Sequence, residues 1–146
     1  MTSNVDTFGV INNYEGATLA YASVEADGIV RNLGTLNVTG TYAIGDEGET
    51  TFAGDTKVGT LSIGRTAKTM LMARDGQEAV LHNTGKTYAD ELDLVSGQVM
   101  VEKDSILAGK SLKNGAVGSD IIVSAGGTFG FSHDKSSLEN ALKNYT

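Results

Sequence analysis

Short apolar runs closed by glycine recur along the whole chain. In Thr35-Leu36-Asn37-Val38-Thr39, Leu36 and Val38 take one side and the polar residues the other. This is the period-two pattern of a half-buried strand. Leu61 with Ile63, Leu92 with Leu94, and Val99 with Val101 repeat it. Such runs predict strands over Phe8–Asn12, Thr18–Val24, Gly28–Asn32, Thr35–Thr39, Thr41–Ile44, Thr50–Ala53 and Lys57–Ile63. Further strands are predicted over Thr69–Ala73, Ala79–His82, Thr87–Val95, Gln98–Glu102, Ser105–Leu107, Ser119–Ser124 and Thr128–Phe131. Most are rich in β-branched or aromatic residues, which suit a pleated surface. The breaks are Gly-Asp, Asp-Gly, Ser-Gly, Asn-Gly and Gly-Gly pairs, which supply positive φ at little cost. One segment departs from this pattern. Ser136–Tyr145 sets Leu138, Ala141, Leu142 and Tyr145 at helical spacing behind Asp134 or Ser136 as N-cap, predicting a short C-terminal helix.

A motif recurs among the strands: an apolar residue, any residue, asparagine, a short gap, then glycine. It stands at Ile11–Gly16, Val30–Gly34, Leu81–Gly85 and Leu112–Gly115. A second unit, apolar alternation running into glycine, stands at Leu36–Gly40, Leu61–Gly64, Leu92–Gly97 and, loosely, Ile121–Gly126. The spacing is uneven: 19 residues from Asn13 to Asn32, 51 to Asn83, then 31 to Asn114. Periods of roughly 20–50 residues mark solenoids. In a parallel β-helix each turn stacks on the last at about 4.8 Å, and asparagines at a bend can hydrogen-bond up the ladder. Every backbone group must pair with both neighbouring turns, so proline is unwelcome, and the chain has none. The fold expected is all-β: a short parallel β-helix over 10–131, an N-terminal arm or cap over 1–9, and the helix over 132–146. An antiparallel β-sandwich or jelly roll, also built from many short strands, is the alternative.

Segments such as Val30–Gly40 and Asn83–Gly97 resemble the coils of autotransporter passengers, surface adhesins and bacteriophage tail or capsid appendages. The resemblance lies in the repeats and spans Phe8 to Phe131. It implies a structural or adhesive role at a virion or cell surface. Because many parallel β-helices cleave polysaccharides, it also raises carbohydrate binding or cleavage as the alternative function.

Composition narrows the chemistry. The formal charge of −7 repels a phosphate backbone, so nucleic acid is not an expected partner. With no cysteine, disulfides, thiolate zinc sites and thiol nucleophiles are excluded. No apolar run approaches the 18 or so residues of a membrane-spanning helix, so no membrane insertion is expected. Met1–Asp6 shows no basic region leading into an apolar stretch, so no cleavable leader is expected there. The protein then stays where it is made, leaves by a route without a leader, or is part of a larger exported chain.

Polysaccharide cleavage needs two carboxylates about 5–10 Å apart across a bond. The candidates are Asp90, Glu91, Asp93, Glu102 and Asp104. With Leu92 and Leu94 inward, Glu91 and Asp93 face out together and read as a solvated face. Asp46, Glu47 and Glu49, with Asp55 further on, offer carboxylates for calcium but lack established calcium-loop spacing, and an acidic turn without metal is expected. His82 belongs on a turn or outer face, and His133 beside Asp134 in a link to the helix. Gly126–Gly130 has no following Gly-Lys-Thr, so no phosphate site is expected. Aromatics make up only 6% and tryptophan is missing, which leaves few platforms for sugar.

No catalytic, cofactor or metal-binding residue is therefore assigned, and no cofactor. What remains is surface. A short solenoid has two open ends of unpaired N–H and C=O groups. The C-terminal helix could cover one or dock on a neighbouring subunit, and the N-terminal arm could cap the other or add a strand to a neighbour. The expected partners are further copies of the chain, as a trimer or larger, and other proteins of an assembly. Tyr21, Tyr42, Met70, Leu71, Met72, Phe129 and Phe131 are the apolar candidates for such an interface, each also readable as core.

Overall fold

The computed structural model describes residues 4–45, 47–64 and 78–131. Fourteen strands follow one another: β1 (Asn4–Thr7), β2 (Val10–Asn13), β3 (Thr18–Tyr21), β4 (Ser23–Ala26), β5 (Ile29–Asn32), β6 (Thr35–Ile44), β7 (Glu49–Phe52), β8 (Asp55–Ile63), β9 (Val80–Asn83), β10 (Lys86–Leu94), β11 (Gln98–Val101), β12 (Ile106–Val117), β13 (Asp120–Val123) and β14 (Thr128–Phe131). Every pairing among them is parallel. The chain is a parallel β-solenoid of about five turns, and the antiparallel sandwich is excluded. The expected strand at Thr69–Ala73 and the C-terminal helix lie outside the described residues.

Each turn has three strand positions. β3 and the first halves of β6, β8, β10 and β12 stack at the first, ending in β14. β1, β4 and the second halves of the same long strands occupy the second. The third is a separate sheet in the order β2-β5-β7-β9-β11-β13. A corner divides the long strands. Val58 and Leu61 are both buried although three residues apart, as are Ala89 and Leu92. A straight strand would send each pair to opposite sides, so the chain turns between them.

Inward columns run through the stack. Tyr42, Leu61 and Leu92 are in register at the second position, with Ile44, Ile63 and Leu94 two residues on. All six are buried. Leu36, Val38, Val99 and Val101 are buried as their alternation predicts. Fully burying one such side chain contributes about 1.5–3 kcal/mol.

The uneven spacing has a simple cause. Asn13, Asn32, Phe52, Asn83, Val101 and Val123 form one column of the third sheet. The 51 residues from Asn32 to Asn83 are two turns, of 20 and 31 residues, with Phe52 at the intervening place in the column. The longer turn contains residues 65–77. Asn114 belongs to β12 and lies outside this column. In the second unit, Leu61 and Leu92 pair directly, whereas Leu36 lies in the first position and Ile121 in the third.

One pair of asparagines bonds along the column, and the others bond across the corner. Asn13 Nδ2 donates to Asn32 Oδ1 at 2.8 Å. Asn32 Nδ2 donates to Asp55 O at 3.1 Å and Thr56 Oγ1 at 3.0 Å. Above Phe52, Asn83 Nδ2 donates to Ile106 O at 2.8 Å and its Oδ1 accepts from Thr87 Oγ1 at 2.7 Å. Each amide thus ties the end of the third position to the start of the first, across the corner. Asn32→Leu is expected to lower stability by about 1–3 kcal/mol, because it takes the amide donor from Thr56 Oγ1 and Asp55 O, while Asn13 Nδ2 keeps Ala17 O and Thr35 O. Urea denaturation checks this; an unchanged midpoint would make the ladder incidental.

Candidate functional site

Of the carboxylates singled out in the sequence, Asp90, Glu91 and Asp93 lie along β10, and Glu102 and Asp104 lie between β11 and β12. Glu91 and Asp93 point outward from β10 while Leu92 and Leu94 are buried, as expected. Asp93 accepts a hydrogen bond from Ser62 Oγ at 3.4 Å and faces Lys113 Nζ at 3.8 Å. These contacts link the outer surface of three successive turns. Asp90 is exposed at the corner of β10. Glu102 accepts from Ser124 Oγ at 3.3 Å. Asp104 is exposed with φ of 64°, a conformation aspartate tolerates better than most residues. Its amide donates to Gly126 O at 3.0 Å, so its place is in the corner leading to β12.

Glu49 is exposed on β7, with Oε1 3.8 Å from His82 Nε2 on β9. Glu47 precedes β7, and Asp55 opens β8 at another position of the turn. Asp46 lies outside the described residues, as do His133, Met70, Leu71 and Met72. Among the described residues no three His, Asp or Glu side chains converge. Gly126 and Gly127 form the turn into β14, and Gly130 lies within it. Tyr42 is core, with no surface to offer. Its ring meets Phe52 edge-on at 5.1 Å, and its hydroxyl bonds Thr50 Oγ1 at 2.8 Å. Burial pushes that hydroxyl well above the usual tyrosine range, against a smaller downward pull from Thr50. Tyr21 and Phe129 are half-buried against the core, and Phe131 is exposed.

Two open grooves follow the corners. One, of about 360 Å³, runs over Gly34, Gly54 and Gly85 between Glu15, Asp55, Lys86 and Asp104. It exists because the glycines leave the backbone bare. The second, of about 370 Å³, lies beside Asn37, Lys57, Gly59 and Asp90. Each mixes acidic and basic side chains across several turns.

The ends of the stack are different. At the first turns Phe8, Val10 and Tyr14 are exposed, and at the last Ile122, Val123 and Phe131. Val123 is in register with fully buried Val101, yet is 45% exposed. Phe131 follows half-buried Phe129 on the same side of β14 and is 47% exposed. Both stand in core columns, and among the described residues no further turn follows them. Among the described residues β13 pairs only with β11, and β14 only with β12. Sequence reading named Phe131 but not Ile122 or Val123, since alternation shows which side a residue takes and not which turn is last. No protein family, curated protein or solved structure matches this chain.

Proposed function

We propose that this chain is a non-catalytic structural or adhesive subunit that associates with copies of itself, as a trimer or larger. Its setting in this reading is a surface assembly of the virion type, such as a capsid decoration, fibre or tail, with the other proteins of that assembly as further partners. The supporting observation is the last described turn, where core-register side chains and a parallel strand edge that pairs no further among the described residues are presented together. An exposed apolar edge is a template for another chain. Sedimentation velocity over a concentration series is expected to show species of three or more chains. A monomer at the highest attainable concentration overturns the proposal.

A further inference from the structure

We infer that the self-association is end to end, with the first turn of one copy stacking on the last turn of another. This rests on the proposal that the chain self-associates, and it names the surfaces that meet. The reasoning starts from the turn-on-turn contact repeated through the molecule. Each internal turn offers its strand edge and inward side chains to the next in parallel register. The last turn makes the same offer. The first turn carries the matching edge, because β2 pairs only with β5, and β3 only with β6, among the described residues.

Continuing the ladders across the junction sets β2 of one copy on β13 of the other, and β3 on β14. Ile121 then meets Ile11, Phe129 meets Leu19, and Phe131 meets Tyr21. Within each copy these residues are already aligned with core columns: Ile11 with Val30, Leu19 with Leu36, Tyr21 with Val38, and Ile121 with Val99. Val123 meets Asn13, as Val101 meets Asn83 within one copy, so the junction extends the columns with contacts of the kind found inside the protein. Opposite ends meet, so the contact is head-to-tail and generates a linear stack rather than a closed dimer.

The absence of cysteine gives a direct test. In the continued register Ile122 of one copy lies beside Asn12 of the next, both exposed and outward. Neighbouring parallel strands are about 4.8 Å apart, within the roughly 4.4–6.8 Å between Cα atoms that a disulfide spans. Within one chain the two positions are five strand steps apart in the sheet, about 24 Å, and cannot be bridged. The full-length double variant Ile122→Cys/Asn12→Cys, mildly oxidised, is expected to give a ladder of dimers, trimers and higher species on a non-reducing gel. Each single variant should give background only. Efficient dimers from Ile122→Cys alone, with the double variant stopping at dimers, would show like ends meeting and overturn the inference. No cross-link from a protein that still sediments as an oligomer also overturns it, leaving self-association standing. No cross-link from a protein that sediments as a monomer, as when the chain's own flanking residues cover the ends, overturns both.

Discussion

Phe52→Ala is expected to destabilise the protein by about 3–5 kcal/mol, the range for emptying a buried phenylalanine site. Against a total of roughly 5–15 kcal/mol, that is a large fraction. Phe52 is fully buried, lies between Asn32 and Asn83 in its column, and supports the Tyr42 ring. Truncation leaves a hole flanked by two amides, and the neighbouring turns cannot close it without breaking their bonds to Thr56 and Thr87. The informative companion is Phe52→Asn, which restores an unbroken asparagine motif. If the ladder organised the stack, this variant would be neutral. We expect it to lose nearly as much as alanine, because the gap beside Tyr42 remains. Urea denaturation of the three proteins decides the matter; a Phe52→Asn midpoint equal to the parent's would reverse the assignment.

Gly54→Ala should cost about 3 kcal/mol, at the upper end for overpacking. A methyl group there would overlap the carbonyl oxygen of Gly34 and come within 2.7 Å of Leu33 O. Both are backbone atoms of the turn below, so no side-chain rotation relieves the clash. The same Gly34 carbonyl accepts from Asp55 N at 2.9 Å, and moving it away weakens the bond joining the turns. Gly85 is hemmed in similarly by Gly54. Gly130→Ala is the control. No atom lies within 4 Å of its added methyl and its φ is ordinary, so a change within about 0.5 kcal/mol is expected. Equal unfolding midpoints for the two variants would show that close approach of the turns is not what requires glycine at the corner.

These two positions also mark where reading the sequence succeeds and where it stops. Glycine at the corners was expected for its access to positive φ. Among the described glycines that reason applies to Gly16, Gly64, Gly97 and Gly126. At Gly54 and Gly85 the cause is a carbonyl from the adjacent turn, a contact between residues about 20–30 apart in the chain, and no local pattern contains it. The 51-residue gap was opaque for a related reason. A column needs only a side chain that fills its place, so phenylalanine can follow asparagine, and the repeat is hidden wherever the residue type changes. Long strands were split or shortened, as at Thr35–Ile44 and Ile106–Val117, because Gly40 and Gly109 read as strand ends although the strand continues through them.

What the amino-acid sequence determined by itself is local: many short strands, the inward side of each, the lack of proline that permits pairing on both edges, and an acidic chain without thiols. Those properties depend on neighbours one to four residues away. Tertiary structure alone decided between the expected parallel solenoid and the antiparallel alternative, set Phe52 in the asparagine column, and placed Val123 and Phe131 on the last described turn. Each of these depends on which turn rests on which, and register between turns is set by packing across the whole stack.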